Sequence, residues 1–342
     1  MIEIDGAEGE GGGQILRTAV ALSALTRKEI RIFNIRANRP TPGLAAQHLC
    51  AIQGVRDLCH GVLLGGCVGS TELTFKPGPI VGGRHRMDVG TAGSVTLVLQ
   101  ACLLAACGSK QPVRLEIAGG TNVRWSPPID FLKLVLLPLL CRSGLKVRMG
   151  EVVRGFYPEG GGKVEVEMDA VTEMRALTLM DRGQQRSIEG VCFAQNLPEH
   201  VSKRMCSAAR KEFVGQHMDL RREETRGAST GAGCFLLARY QDGLLSGDAL
   251  GERGRPAEKV GESAAQALLQ EMNSGATLGL HAADQILPYL ALADGTSSFI
   301  VRETSGHLLT QIDLVERFLP VKVALSSLEG GQRVEVTPQP YM

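Results

Sequence analysis

Apolar and polar residues alternate around Glu3-Ile4. Apolar positions then recur at helical spacing through Ile15, Ala19, Leu22 and Leu25, so the pattern predicts a strand, a glycine loop over 6–13 and a helix over 14–25. Alternation returns over 30–35. A helix over 44–59 follows Pro42-Gly43, and short strands around Val62 and over 72–75 are punctuated by Gly61, Gly65, Gly66 and Gly69. The same order then repeats. Strand 86–89 leads through Gly90-Thr91-Ala92-Gly93-Ser94 into helix 95–107 and strand 113–117, and Pro127-Pro128 precedes helix 129–141 and strands 146–149 and 163–168. A third round closes the chain, with helix 282–293, strand 298–301, helix 308–318 and strands 321–325 and 333–336.

One local echo supports repetition: Glu159-Gly160-Gly161-Gly162-Lys163-Val164-Glu165-Val166 matches the pattern of Glu329-Gly330-Gly331-Gln332-Arg333-Val334-Glu335-Val336. Three units, each of strands with two helices, imply an α/β (α+β) fold whose sheets carry helices on one face. Between about 183 and 275 the texture changes. A strand over 187–193, a helix over 198–213, the charged run Arg221-Arg222-Glu223-Glu224, a hairpin of 234–240 with 244–248 and a helix over 256–272 read as a compact inserted α/β domain. The expected division is therefore 1–183 and 276–342 for a large three-repeat domain, and 184–275 for the insert.

Composition narrows the function classes. The 342 residues are 44% hydrophobic, with 37 Lys+Arg against 36 Asp+Glu, so the net charge of +1 announces no chain-wide basic field for nucleic acid. A local basic patch remains compatible with that balance. The longest apolar stretch, 131–141, is broken by Lys133 and Pro138 and is far short of the roughly 20 residues a membrane helix needs. Nine cysteines without a CxxC pair favour reduced thiols over a disulfide framework or zinc site. With no basic and apolar leader after Met1, a cytoplasmic location is expected.

Candidate chemistry collects in a few places. Glu8-Gly9-Glu10-Gly11-Gly12-Gly13-Gln14 precedes a helix, where backbone N–H groups and the helix dipole suit an anion. It matches neither the dinucleotide nor the P-loop fingerprint, and a tight structural turn is the alternative. An acidic Glu10 in an anion loop implies a bridging cation, hence a metal-bound polyphosphate. Arg36 and Arg39 lie three apart beside Pro40-Thr41-Pro42-Gly43, where each guanidinium can fork onto phosphate oxygens; a solvated basic loop is the alternative. Arg17 follows Gln14 by three residues and points to the same place, and Gln47-His48 opens the next helix. Thr304 or Ser305 caps a helix opened by His307, and a helix N-terminus favours neutral imidazole, the form a nucleophile requires. Asp284-Gln285 sits in the first turn of the preceding helix.

Together these residues resemble the RNA 3′-terminal phosphate cyclase family. The resemblance rests on Asp5-Gly6, the run from Glu8 to Arg17, Ile35-Arg36-Ala37-Asn38-Arg39, Pro42-Gly43-Leu44, Gln47-His48-Leu49 and Gly90-Thr91-Ala92-Gly93-Ser94. Further on it includes Gly119-Gly120-Thr121, the stretch from Gly155 to Gly162, Asp284-Gln285 and His307-Leu308-Leu309-Thr310, in collinear order over nearly the whole chain. It implies three repeats like the C-terminal domain of translation initiation factor 3, with a small α/β insert before the third. The implied activity is ATP-dependent conversion of an RNA 3′-phosphate to a 2′,3′-cyclic phosphate through a covalent histidyl–AMP, with ATP as substrate and a divalent metal, Mg or Mn.

By motif position the nucleophile is His307, and Glu10 holds the metal on the triphosphate. Arg17, Arg36 and Arg39 accompany His307 in catalysis. Glu10, Gln14, Gln100, Pro128, His281, Asp284 and Gln285 fall in the ATP site, with His281 where many members carry an aromatic residue. Arg36, Arg39, Gln47 and His48 face the RNA end. Trp125, the sole tryptophan, lies in the variable stretch after Gly119-Gly120-Thr121 and suits stacking on a base or plain packing. Two rival classes remain: non-catalytic cyclase-like proteins of ribosome assembly, against which His307 argues, and enolpyruvyl transferases, which share the repeat architecture.

Overall fold

The computed structural model describes residues 1–9 and 12–340. Its first unit runs β1 (Ile2–Asp5), α1 (Gly13–Thr26), β2 (Ile30–Phe33), α2 (Ala46–Leu58), β3 (Val62–Leu64) and β4 (Leu73–Lys76). The second runs β5 (Gly83–Asp88), α3 (Val95–Ala106), β6 (Val113–Gly119), α4 (Ile129–Phe131), α5 (Leu137–Arg142), β7 (Val147–Val153) and β8 (Gly162–Met168). Next come β9 (Thr178–Leu179) and the inserted segment: β10 (Gln185–Gln195), α6 (His200–Glu212), β11 (Met218–Thr225), β12 (Gly231–Tyr240), β13 (Leu244–Leu250) and α7 (Ala257–Met272). The last stretch holds α8 (Leu280–Leu290), β14 (Ser297–Val301), α9 (Gly306–Phe318), β15 (Val321–Leu328) and β16 (Gly331–Pro338).

Three sheets share one topology. Their strand orders are β1-β2-β4-β3, β5-β6-β8-β7 and β9-β14-β16-β15. In each, the first two strands pair parallel and the other pairings are antiparallel, as a helical crossover followed by a hairpin requires. The glycine echo maps onto equivalent strands, since β8 and β16 occupy the same third place. The inserted segment interrupts the third unit after its first strand rather than preceding that unit, because β9 pairs with β14. Two residues of strand carry too little periodicity to be read from sequence.

The inserted sheet, β11-β10-β12-β13, has two buried faces. Ile188, Cys192 and Ala194 of β10 pack in a second apolar cluster with residues of α6 and α7, whereas Val191 and Phe193 turn to the main core. This is the period of two expected of a strand, and it explains why residues 190–194 of β10 read as a continuous apolar run. The charged run at 221–224 is also a strand, β11. It lies at the sheet edge, where charges are tolerated and discourage further pairing. The helix expected over 129–141 forms with a change of pitch. Pro138 has no N–H to give, and the turn ahead of it, Leu132–Leu136, widens into a π-helix in which Leu137 N–H reaches Leu132 O.

Candidate active site

Helix α1 begins at Gly13 after an extended Gly12, and three separate elements crowd that turn. A Cβ on Gly13 would lie 2.1 Å from His48 Nε2 and 3.0 Å from Arg17 Nη1; one on Gly12 would lie 3.2 Å from Arg39 Nη2. On the other flank, Gly9 has φ +59°, and a Cβ there would meet Thr310 Oγ1 at 2.4 Å. Residues from α2, from the loop after β2 and from α9 therefore converge on one glycine turn. The turn is also tied to α9 by the Arg317–Glu8 ion pair at 2.9 Å. Glu10, expected to hold the metal, lies outside the described residues.

Burial shapes the electrostatics. Arg17 is 7% exposed; desolvation lowers its pKa to about 10, and the carboxylate of nearby Asp284 partly offsets this. His48 is buried, and its Nδ1 accepts from Ala45 N–H at 3.3 Å. Burial, then the Arg17 and Arg36 cations, push its pKa down to about 3. The ring is thus neutral, with its proton on Nε2, the nitrogen facing the glycine turn, so it offers a fixed donor. Arg36 has φ +53° and donates through Nη1 to Gly43 O at 2.7 Å, while burial and Arg39 beside it lower its pKa. Gln47 Oε1 accepts from Ser94 N–H at 3.0 Å, joining α2 to the glycine-rich loop ahead of α3.

His307 is the second residue of α9, whose N-cap Ser305 accepts from Leu308 N–H at 3.1 Å. Desolvation and the adjacent His307 lower the pKa of His281. Behind Arg17, a small pocket opens between α1, α3, α8 and α9. Gln14, Arg17, Gln100, Gln285, Tyr289 and Gln311 bring polar groups to it. Five buried atoms there, Gln14 Oε1, Arg17 Nε, Gln285 Oε1, Tyr289 Oη and Gln311 Oε1, have no hydrogen-bond partner among the described residues. A pocket so lined suits a polar ligand or water rather than an apolar one.

Of the expected site residues, the structure brings Arg17, Arg36, Arg39 and His48 to the glycine turn, Gln14, Gln100 and Gln285 to the pocket, and His281 to His307. Pro128 is the N-cap of α4, where Ile129 N–H donates to Thr121 O. Tyr289, Gln311 and Thr310 received no role from the sequence. The available signal was helical spacing, since Tyr289 and Gln311 lie four residues beyond Gln285 and His307. Among the described residues no three His, Cys, Asp or Glu side chains form a metal-binding group. No helix of the described chain is long and apolar enough to cross a membrane.

A glycine turn opening a helix, faced by cationic arginines and a neutral histidine donor, can hold a polyanion. Repeated α/β units with that arrangement describe a phosphate-handling protein. Comparison with known proteins makes it particular. A family profile described as RNA 3′-terminal phosphate cyclase matches residues 8–325, and the chain belongs to that family and is an enzyme of it. It is 45% identical to the RNA 3′-terminal phosphate cyclase of Methanopyrus kandleri, over 99% of both chains. It is 44% identical to that of Nitrosospira multiformis, over 99% of this chain and 97% of the other. Among solved structures, the enolpyruvyl transferase NikO from Streptomyces tendae is similar at 10% identity and a TM-score of 0.40, over 98% of this chain and 48% of that one, a likeness too slight to transfer anything.

Proposed function

We propose that the chain converts RNA 3′-phosphate ends to 2′,3′-cyclic phosphates in a cytoplasmic compartment, using ATP. A nitrogen of His307 attacks the α-phosphorus of ATP, forming a P–N bond as the bond to pyrophosphate breaks. An oxygen of the RNA 3′-phosphate then displaces the imidazole and takes up AMP. The vicinal 2′-OH attacks the activated 3′-phosphorus, losing its proton and expelling AMP, which leaves the cyclic diester. Division of one substitution into two is the usual gain of covalent catalysis.

In this reading Gln14, Gln100, Pro128, His281, Asp284 and Gln285 hold the nucleotide, and Arg17 lies between nucleotide and nucleophile. Arg36, Arg39, Gln47 and His48 take the RNA end. A divalent metal, Mg or Mn, held by Glu10 would neutralise charge on the triphosphate. Residues 184–275 serve as a separate inserted domain on the body formed by 1–183 and 276–342. The observation that carries the proposal is the convergence of Arg39, His48 and Thr310, three residues after His307, on the glycine turn of α1.

The test is self-labelling with α-labelled ATP and a divalent metal, read on a denaturing gel. The label should be lost in acid and persist in alkali, as a phosphoramidate is, and His307→Ala should abolish it. Undiminished labelling of His307→Ala would remove the nucleophile from this scheme.

A further inference from the structure

Trp125 and Tyr157 are the only exposed aromatic side chains among the described residues, at 95% and 78%. Trp125 also has φ +65°, a region that disfavours any residue bearing a Cβ. The solvated indole is not held by packing, although its neighbours Asn122 and Val123 are buried. The chain is sparing with aromatics, at 4%, which makes two solvated rings conspicuous.

The two rings stand on loops that leave one junction. Gly155 O accepts from Thr121 N–H at 2.8 Å and Asn122 N–H at 3.1 Å, and Gly155 N–H donates to Thr121 Oγ1 at 2.9 Å. The junction connects to the arginine site: Gly120 N–H donates to Gly93 O at 2.9 Å, and the next residue, Ser94, donates to Gln47 beside His48. Exposed cations flank it. Arg124 pairs with Glu252, Lys163 closes the loop that carries Tyr157, and Arg226 belongs to the insert loop whose Ala228 sits against Gly161; Glu159 and Glu252 are exposed acids there.

We propose that Trp125 and Tyr157 form a stacking platform for the single-stranded RNA that leads into the reacting 3′ end. The proposal rests on the RNA-end reading given under Proposed function. Every base has a π-face, so rings of this kind grip a strand without regard to sequence while neighbouring cations follow its backbone. Aromatic rings among arginines and lysine fit a nucleic acid better than the aliphatic surface another protein would present.

The sole tryptophan is its own probe. Titration with a decauridylate bearing a 3′-OH should quench Trp125 emission in the wild-type protein, with weaker binding in Tyr157→Ala. In cyclisation assays, Trp125→Ala and Tyr157→Ala should raise KM for a 3′-phosphorylated decamer about tenfold or more, the loss of one base stack, relative to any change with a 3′-phosphorylated dinucleotide. Trp125→Phe should recover most of that loss. Unchanged emission when filter binding shows the decamer bound overturns the platform, as does an equal KM rise for dinucleotide and decamer. Quenching by the 3′-OH strand needs no turnover, so a protein that binds and quenches but cyclises nothing overturns the reaction and leaves the platform standing.

Discussion

Arg39 and His307 belong to elements far apart in sequence, which allows the half-reactions to be separated by single substitutions. If the arginine loop orients the RNA end, Arg39→Ala should keep most of its labelling by ATP alone and lose RNA-dependent turnover about ten- to a hundredfold, the equivalent of about 1.5–3 kcal/mol for one charge-assisted contact. Arg39→Lys restores charge without the fork and should recover only part. Parallel loss of labelling and turnover would move Arg39 to the triphosphate. His48 offers a pH test. Its folded-state pKa of about 3 lies below the ordinary 6.5 of an unfolded imidazole, so the unfolded chain takes up the proton first. The stability it supports is complete above about pH 6.5 and is lost as pH falls towards 3, by about 2 kcal/mol at pH 5. Denaturant unfolding at pH 7 and 5 should therefore show a shallower decline in His48→Gln than in wild type; equal declines would mean that the native imidazole is charged.

At the level of elements, the start of α1 is a tightly constrained turn. Gly13→Ala puts a methyl where His48 Nε2 and Arg17 Nη1 already sit, so either the buried ring or the helix must move. Overpacking of this kind costs about 1–3 kcal/mol, and ATP-only labelling should fall with it. Gly12→Ala meets only the flexible end of Arg39 and should label nearly normally. Equal damage from both would mean that backbone conformation, rather than the His48 contact, governs the turn. Helices α1, α3 and α9 were legible because apolar positions recur along them at helical spacing. Strand β11 was not, because Glu223 and Glu224 are held by groups distant in sequence, Arg154 and Ser202. The phosphate candidates Arg36 and Arg39 were legible from their spacing in a proline-held loop, whereas the nucleotide candidates Gln100, Pro128 and His281 came from motif resemblance. Tyr289 and Gln311 carry only the weak signal of lying one turn beyond Gln285 and His307, and their meeting on the pocket wall comes from how α8 and α9 pack on α1 and α3.

On the scale of the whole molecule, Arg154 couples the inserted segment to the body. It forks onto Asp130 at 2.7 and 2.9 Å, reaches Glu223 of β11 at 2.6 Å and lies 4.0 Å above the Phe193 ring. Burial alone would disfavour its charge, but the two carboxylates outweigh that and raise its pKa. Removing one member of a buried pair strands the other, so Arg154→Ala should cost about 3–5 kcal/mol through the orphaned Asp130. Limited proteolysis should then cut the insert faster while α1 and α9 remain protected. A variant with wild-type Tm and cleavage pattern would show that the apolar contacts of Val191 and Phe193 suffice to dock the insert.

The glycine turn and α9, the helix of the proposed nucleophile, lie some 300 positions apart along the chain, yet Lys28 reaches Phe318 O at 2.8 Å and Glu8 pairs with Arg317. During synthesis, the first helix must therefore wait for almost the entire polypeptide to emerge before its chemical partner exists. Contacts of such long separation form late and slowly in folding. Histidyl labelling would accordingly report completed maturation: a half-made or misassembled chain holds the loop or the histidine, and only a finished one holds both together.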